Sequence, residues 1–235
     1  MLSIKNLSKS YTKGKKAVDS LSLDVEDGDI YGFIGHNGAG KTTTLKAITG
    51  ILPFDEGEVV FNGIDIAKDP IKYKSFLAYI PDNPDLYESM TGIRYINFVS
   101  DLYGVPQEKR DANIKKYADT FELTNDLGSP ISSYSHGMKQ KLAIISALVH
   151  DPKLLILDEP FVGLDPKAAH TLKQIMKEMC ENGGSIFFST HVLEVAEKLC
   201  TKIAIIKDGK LIKCGSTDYV RGDSSLEDIF LELVD

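Results

Sequence analysis

Residues 35 to 42 read Gly-His-Asn-Gly-Ala-Gly-Lys-Thr, which matches the phosphate-binding loop (P-loop) pattern G-x-x-x-x-G-K-[S/T]. Glycines are needed in such a loop because its backbone N–H groups curl around phosphate oxygens, and a Cβ would obstruct that approach. Lys41 is placed to reach the β- and γ-phosphates, and the hydroxyl of Thr42 is suited to bind Mg²⁺. The octet therefore predicts a site for a nucleoside triphosphate.

The sequence around the P-loop has the context that this motif requires. Residues 29–34 form a short apolar run typical of a buried strand, and residues 43–50 have a helical pattern that ends in glycine. We expect His36 to lie on the surface of the loop without a catalytic role. The predicted nucleotide contacts in this segment are Gly35, His36, Asn37, Gly38, Ala39, Gly40, Lys41, Thr42 and Thr43.

The bulk composition is that of an ordinary soluble globular chain, with 235 residues, 43% hydrophobic and 26% charged. A net charge of −7 argues against a general nucleic-acid binder, which would be basic. The longest largely apolar stretch, residues 142–149, is far shorter than the roughly twenty residues that span a bilayer. We expect no signal peptide, and the 3 cysteines lack metal-site spacing and indicate reduced thiols in the cytosol.

The order of predicted elements indicates an α/β fold. Alternating segments at residues 2–7, 17–25 and 58–61 predict an antiparallel sheet. Within residues 91–149, apolar residues recur at helical spacing. This pattern predicts a helical insertion, placed at about 87–150 within a single domain of residues 1–235. Strands and helices then alternate up to the last predicted strand, residues 210–213, which predicts a parallel sheet flanked by helices.

A second chemical signal lies at the end of a predicted buried strand. Residues 154–157 are apolar and lead directly into Asp158 and Glu159. Open α/β sheets bind ligands at the carboxyl ends of their strands. We expect Asp158 to bind Mg²⁺ and Glu159 to act as the general base that polarises the attacking water.

Together with further short segments, these motifs resemble those of ATP-binding cassette (ABC) transporter ATPases. The segments are residues 134–140 (YSHGMKQ), residues 163–165 (GLD) and residues 189–191 (STH). Each is weak alone, but their order and spacing match the family over the whole chain. The resemblance implies a P-loop NTPase (RecA-like) core, an N-terminal antiparallel β subdomain and an inserted α-helical subdomain.

The resemblance also implies roles for residues outside the P-loop. Ser135 and Gly137 resemble the signature motif that meets the γ-phosphate of ATP held by the other subunit. His191 resembles the switch histidine that contacts the γ-phosphate, and Asp165 resembles the D-loop aspartate at the dimer interface. Tyr11 resembles the aromatic residue that stacks on adenine, since its π-face suits any purine. The expected catalytic residues are Lys41, Glu159 and His191.

The chain also departs from the family pattern. The usual signature is Leu-Ser-Gly-Gly-Gln, whereas here Tyr134, His136 and Met138 replace the leucine, the first glycine and the glutamine. Asp82 stands where a glutamine usually contacts Mg²⁺ and senses the permease, so we expect Asp82 to join Thr42 and Asp158 around the metal. With residues 225–233, these departures resemble the exporter branch often called ABC-2.

The resemblance implies an ATPase subunit, with ATP and Mg²⁺ as cofactors, that dimerises around two ATP and drives a separate integral-membrane permease. Its expected location is cytoplasmic, peripheral on the inner face of the cell membrane, and no nucleic-acid partner is expected. A non-transport ABC ATPase acting on ribosomes or DNA remains an alternative. A guanine-specific switch or a small-molecule kinase is a further class; the chain lacks the aspartate of an N-K-x-D or T-K-x-D element at residues 201–204.

Several polar residues have a structural interpretation. We expect His150 to be a helix C-terminal residue favoured by the helix dipole. We expect Ser189 and Thr190 to be hydrogen-bonding residues at a strand end, since no base is recognisable beside them. His136 is ambiguous, because it could approach the partner's nucleotide or be a solvated side chain at a helix N-terminus.

Overall fold

The computed structural model describes residues 1–12 and 14–234. The strands are β1 (Leu2–Thr12), β2 (Lys15–Val25), β3 (Ile30–Ile34), β4 (Glu56–Phe61), β5 (Ile64–Asp65), β6 (Leu77–Ile80), β7 (Leu154–Asp158), β8 (Ser185–Thr190), β9 (Lys202–Lys207) and β10 (Lys210–Ser216). The helices are α1 (Lys41–Ile48), α2 (Pro70–Ser75), α3 (Gly92–Leu102), α4 (Gln107–Thr120), α5 (His136–Leu148), α6 (Pro166–Glu181), α7 (Leu193–Leu199), α8 (Thr217–Arg221) and α9 (Leu226–Val234).

The central sheet has six strands in the order β10-β9-β3-β8-β7-β6. Strands β9, β3, β8, β7 and β6 run parallel to one another. All residues of β3, β7 and β8 are buried, as expected for strands covered on both faces. Because β8 lies between β3 and β7, the segments that follow these three strands meet at one edge of the sheet.

The second sheet is antiparallel and has four strands in the order β2-β1-β4-β5. Its apolar side chains pack around α1 together with one face of the central sheet, so α1 lies within the core between the two sheets. The helices α5, α6 and α7 pack on the opposite face of the central sheet, and α3 and α4 pack against α5. This arrangement confirms the predicted α/β fold with a second, antiparallel sheet.

The predicted helical insertion, about residues 87–150, contains α3, α4 and α5, with short 3₁₀ turns at Thr124–Asp126 and Ile131–Ser133. It lies in the chain between β6 and β7, which are neighbours in the central sheet. Its definition as a separate subdomain stays a prediction. The elements β5, α2 and α8 were not predicted, since each is too short to produce a periodic pattern.

The last strand corrects the sequence prediction. Residues 210–213 were assigned to the parallel sheet, but β10 pairs with β9 in antiparallel register. Only Asp208 and Gly209 separate the two strands, and both have positive φ. A parallel pair needs a crossover of a dozen or more residues, whereas two residues suffice for a hairpin.

Candidate nucleotide-binding site

The P-loop follows β3 and leads directly into α1. Gly40 has φ +108°, and a Cβ at this position would lie 2.4 Å from the carbonyl oxygen of Ala17. Both the conformation and the close approach of β2 therefore require glycine. The first residue of α1 is Lys41, so the free N–H groups of the first helical turn face the loop, where an anion is favoured.

The Lys41 side chain is buried within the loop. Its Nζ donates hydrogen bonds to the carbonyl oxygens of Gly35, at 2.6 Å, and His36, at 3.3 Å. It also lies 3.7 Å from Oε1 of Glu159. Burial lowers the pKa of the Lys41 ammonium, while Glu159 and Asp158 act in the opposite direction.

Thr42 and Asp158 are in direct contact although they lie on different elements. The Thr42 hydroxyl donates to Oδ2 of Asp158 at 2.6 Å, and the Ser189 hydroxyl donates to Oδ1. Asp158 is 1% exposed, so these hydroxyl donors satisfy a carboxylate that water hardly reaches. Ser189 therefore hydrogen-bonds at a strand end, as predicted, and Thr190 accepts from the Val192 N–H at 3.0 Å.

These oxygens form a suitable donor set for Mg²⁺. A hydroxyl and a carboxylate side by side are hard oxygen ligands, and Mg²⁺ usually needs only one or two carboxylates because phosphates and water complete its coordination. Within residues 1–12 and 14–234, no group of three or more His, Cys, Asp or Glu side chains is placed to hold a metal by itself. Thr42 and Asp158 therefore fit a metal that enters with the nucleotide.

Glu159 lies at the end of β7 in an unusual backbone conformation. Its φ is +48°, a value uncommon for a residue other than glycine, and its N–H donates to the Ser189 carbonyl at 3.2 Å. Its Oε1 lies 3.0 Å from Nδ1 of His191, which follows β8. The turn thus directs the carboxylate toward both Lys41 and His191.

Tyr11, at the end of β1, stands beside the P-loop. Its side chain is 62% exposed, and its hydroxyl lies 3.2 Å from Oγ1 of Thr43. Ala17 of β2 lines the cavity beside Tyr11 and the P-loop, and it was not predicted from the sequence. An alanine in an alternating strand carries no chemical signal, so only the pairing of β1 with β2 identifies it.

Tyr11, most of the P-loop, Asp158 and Glu159 line one open cavity of about 330 Å³, whereas Gly35, Ala39 and His191 are not part of its lining. Asp82, which follows β6, also lines it, and its Oδ1 accepts from the Asn83 N–H at 2.8 Å. The full lining consists of Tyr11, Ala17, His36, Asn37, Gly38, Gly40, Lys41, Thr42, Thr43, Asp82, Asp158 and Glu159. The structure thus brings together the predicted adenine, phosphate, metal and base residues.

Ser135, Gly137 and Asp165 lie outside this lining. Ser135 is the N-cap of α5, where its hydroxyl accepts from the Met138 N–H at 3.2 Å. Asp165 caps α6 and forms an ion pair with Lys141 at 2.9 Å, which lowers the pKa of the Asp165 carboxyl. These residues form a second cluster, at the N-termini of α5 and α6.

His136, in the signature segment (residues 134–140), contacts Gly163, in the D-loop (residues 163–165). Gly163 has φ +81°, and a Cβ there would lie 2.5 Å from Cδ2 of the His136 ring. His136 is exposed, but its ring lies against the D-loop backbone. The prediction that His136 is a solvated side chain at a helix N-terminus is therefore incomplete, because the ring also contacts the D-loop.

His150 corrects another prediction. It lies just past α5, but its ring stacks on Tyr103 with centroids 3.6 Å apart and planes 13° apart. Burial lowers the pKa of His150 to about 4. The side chain is therefore neutral near pH 7 and gives no charge to the helix dipole. The three cysteines, Cys180, Cys200 and Cys214, are all free.

A comparison with known proteins gives a consistent result. A family model described as "ABC transporter" matches residues 18–162. The chain is similar to the ABC-type transporter ATP-binding protein EcsA of Bacillus subtilis (strain 168), with 35% identity over 238 residues that cover 99% of this chain and 96% of that protein. It is also similar to the linearmycin resistance ATP-binding protein LnrL of the same organism, with 35% identity, covering 92% of this chain and 69% of that protein.

Solved structures share the whole fold. A structure described as the ATP-binding subunit of an ABC transporter has a TM-score of 0.95 and 34% identity, and covers 99% of both chains. The structure of cbiO1 from Clostridium perfringens, described as part of the ABC transporter complex cbiONQ, has a TM-score of 0.80 and 25% identity, and covers 99% of this chain and 95% of that chain.

Proposed function

Because the chain belongs to the ABC transporter family and is an ATP-binding ATPase, we propose that it powers an exporter whose permease is a separate integral-membrane protein. The ATPase part of this proposal is supported by the cavity in which the P-loop, Asp158, Glu159 and Asp82 meet beside Tyr11. The relatives named above are transporter or resistance proteins, which favours transport over action on ribosomes or DNA.

The proposed reaction is hydrolysis of the γ-phosphate by water. Glu159 accepts a proton from the attacking water, which is the role of a general base at a strand end. Lys41 moves from the loop carbonyls to the β- and γ-phosphates, where its charge stabilises the developing negative charge. His191, which is 3.0 Å from Glu159, orients the carboxylate and contacts the γ-phosphate.

Thr42 and Asp158 would hold Mg²⁺, and Asp82 lines the same cavity. When bound, Mg²⁺ would supply positive charge that offsets the negative charge of the phosphates. The protein's own contribution is to orient the Asp158 carboxylate through the hydroxyls of Thr42 and Ser189. Removing either hydroxyl would leave the buried carboxylate with one fewer donor.

The cluster at the N-termini of α5 and α6 lies apart from the nucleotide cavity, and this separation favours a dimer. Ser135 and Gly137 lie outside the cavity of their own chain, yet the N-terminus of α5 is a favourable place for an anion. We assign them to the γ-phosphate of ATP bound by a second copy of the chain. Asp165, next to them in the D-loop, would lie at the same interface.

An apolar surface beside the site fits the proposed permease. Tyr87 and Phe98 are exposed and lie in edge-to-face contact, with centroids 5.7 Å apart. Leu102 and Tyr103 extend this surface along α3, next to a groove of about 270 Å³ that also includes Pro81. A contiguous apolar surface of this kind marks an interaction site. Its closeness to Asp82 would couple the permease to the nucleotide.

The proposed location follows from the permease. No helix within residues 1–12 and 14–234 is long and apolar enough to cross a membrane. As the ATPase partner of an integral-membrane permease, the chain would be held at the cytoplasmic face of the membrane through that permease. Export, in preference to import, rests on the variant signature, on Asp82 in place of glutamine, and on one relative named for linearmycin resistance.

The experiment pairs this chain with a candidate permease, sought as a hydrophobic multi-span protein in the neighbouring open reading frame. Reconstituted together in vesicles, the two should bind stably, and the permease should change the ATPase rate. Phe98→Ser should weaken this binding while the ATPase rate of the isolated chain is kept. Ile71→Ser is the matched control, because Ile71 is 84% exposed on α2, outside the apolar surface. Failure of the neighbouring protein both to bind and to change the rate would contradict the proposal.

A further inference from the structure

The C-terminal helix α9 contacts the P-loop through one pair of rings. Phe230 of α9 is 8% exposed, and its ring lies edge-to-face with the imidazole of His36, with centroids 4.9 Å apart and planes at 63°. Nearly two hundred residues of chain separate them, so the contact exists only because α9 returns to the sheet edge. No role predicted from the sequence motifs accounts for it.

Helix α9 is anchored independently of this contact. Leu226, its first residue, is fully buried, and its N–H donates to Oε2 of Glu197 at 3.1 Å. Arg221, which ends α8, donates to the other oxygen of Glu197 at 3.3 Å. Glu197 lies on α7, so α9 is fixed to the helix that follows His191. Phe230 is thus presented to the P-loop from a supported position.

The part of the P-loop that Phe230 contacts is a turn in which the Ala39 N–H donates to the His36 carbonyl oxygen at 3.1 Å. His36, Asn37 and Gly38 are exposed, and a Cβ on Gly38 would meet no atom within 4 Å. The backbone of His36 nevertheless takes part in the site, because its carbonyl oxygen accepts from Nζ of Lys41 at 3.3 Å. The His36 ring therefore links an exposed segment of the loop to the buried Phe230.

We propose that Phe230 is a positioning residue for ATP binding, which holds the exposed side of the P-loop in its binding conformation through the His36 ring. A loop already held in this conformation loses less conformational freedom when it binds phosphate, so its affinity is higher. Phe230 itself does not line the nucleotide cavity. Its effect is therefore on affinity and not on the chemical step.

The expected magnitude follows from the type of contact. Edge-to-face pairs contribute modestly beyond the area that they bury, which corresponds to about a two- to tenfold change in an equilibrium constant. Phe230→Ala should raise the dissociation constant for ATP by that factor. The KM for ATP should rise in parallel, while kcat at saturating ATP should change by less than about twofold.

A double-mutant cycle with His36 separates this role from a general loss of stability. Phe230→Ala, His36→Ala and the double variant are compared by calorimetric titration with ATP. If the two rings act as one unit, the double variant should bind no more weakly than the weaker single variant. Effects that multiply would mean that Phe230 acts independently of His36, and would overturn the proposal.

Two further variants control for the docking of α9. Leu231→Ala changes the adjacent residue, which is 49% exposed, and should leave both ATP affinity and thermal stability unchanged. Phe230→Leu keeps apolar bulk on the buried face and should preserve the melting temperature while still weakening ATP binding. If Phe230→Leu binds ATP as the wild type does, the ring contact has no role and the proposal is wrong.

The inference rests on ATP binding at the P-loop, and its failure is distinguishable from failure of the proposed function. Absence of ATP binding by the wild-type chain would remove both. Normal binding by the wild type, together with equal dissociation constants for Phe230→Ala and Leu231→Ala, would remove only the positioning role of Phe230.

Discussion

Oε1 of Glu159 lies 3.0 Å from Nδ1 of His191, so the residues that directly follow two neighbouring strands, β7 and β8, are in contact. The same oxygen lies 3.7 Å from Nζ of Lys41, at the start of α1. One carboxylate thus connects the P-loop to the end of β8. A change at Glu159 should therefore act on hydrolysis without disturbing the fold around it.

Glu159→Gln should keep ATP binding and reduce the hydrolysis rate by about a hundredfold or more, the scale for loss of a general base. The amide has the same shape as the carboxylate but does not accept the proton. The variant should accumulate as a dimer with ATP bound, measured by size-exclusion chromatography, while phosphate release measures the rate. Near-normal phosphate release would mean that another group is the base.

Tyr11→Ala should weaken ATP binding by about 1 to 3 kcal/mol, the range for one base–aromatic stack. Tyr11→Phe is the control, because it keeps the ring and loses only the exposed hydrogen bond to Thr43. The phenylalanine variant should bind ATP almost as well as the wild type in a calorimetric titration. Equal loss in both variants would assign the effect to the hydroxyl instead of the ring.

Gly163→Ala should weaken ATP-dependent dimerisation. Alanine at φ +81° costs about 1 kcal/mol or more, and its Cβ would also displace the His136 ring. The dissociation constant of the dimer should rise at least about fivefold, measured in the Glu159→Gln background. Adding His136→Ala removes the steric conflict but not the positive φ, so it should restore part of the loss. Dimerisation unchanged by Gly163→Ala would contradict this role of the contact.

His150 should make the fold sensitive to acid. Its pKa is lowered to about 4 from 6.5 by burial, so the unfolded chain binds a proton at a higher pH than the folded chain does. The free energy of unfolding should therefore fall as the pH drops from about 6.5 to 4, by at most about 3 kcal/mol. Urea unfolding of the wild type and of His150→Phe, which keeps a ring against Tyr103, measures the difference. Parallel pH profiles for the two proteins would contradict the prediction.

The chemical residues at the strand ends were predictable from the sequence because local patterns encode them. A glycine-rich loop after an apolar run is a local pattern that indicates a phosphate-binding turn. Asp158 and Glu159 are conspicuous because residues 154–157 before them are all apolar. Parallel strands then place these ends at one edge. The local signals and the global fold agree, so the P-loop, Asp158 and Glu159 lie around one cavity.

Contacts between distant segments were not predictable in the same way. The pairs Phe230–His36 and His136–Gly163 join loops and helices that no periodic pattern connects. The burial of His150 depends on α3, whose Tyr103 covers the ring. Such pairs arise from tertiary packing, which a single sequence does not specify residue by residue.

We propose that each ATP is shared between two chains, one supplying Lys41 and the other supplying Ser135 and Gly137. Lys41→Ala removes the phosphate-binding ammonium, and Ser135→Arg replaces the α5 cap with a bulky cation. Each homodimer should be inactive, because its single change spoils both composite sites. In a mixed dimer, both changes fall at one site, and the other site is wholly wild type.

The most direct measurement is ATP hydrolysis by a mixture of the Lys41→Ala and Ser135→Arg chains, with subunit exchange verified by a tagged wild-type control. The shared-site account predicts that two inactive proteins regain ATP-dependent dimerisation and measurable hydrolysis when mixed. A mixture that exchanges subunits yet shows neither dimerisation nor hydrolysis above the separate variants would contradict it.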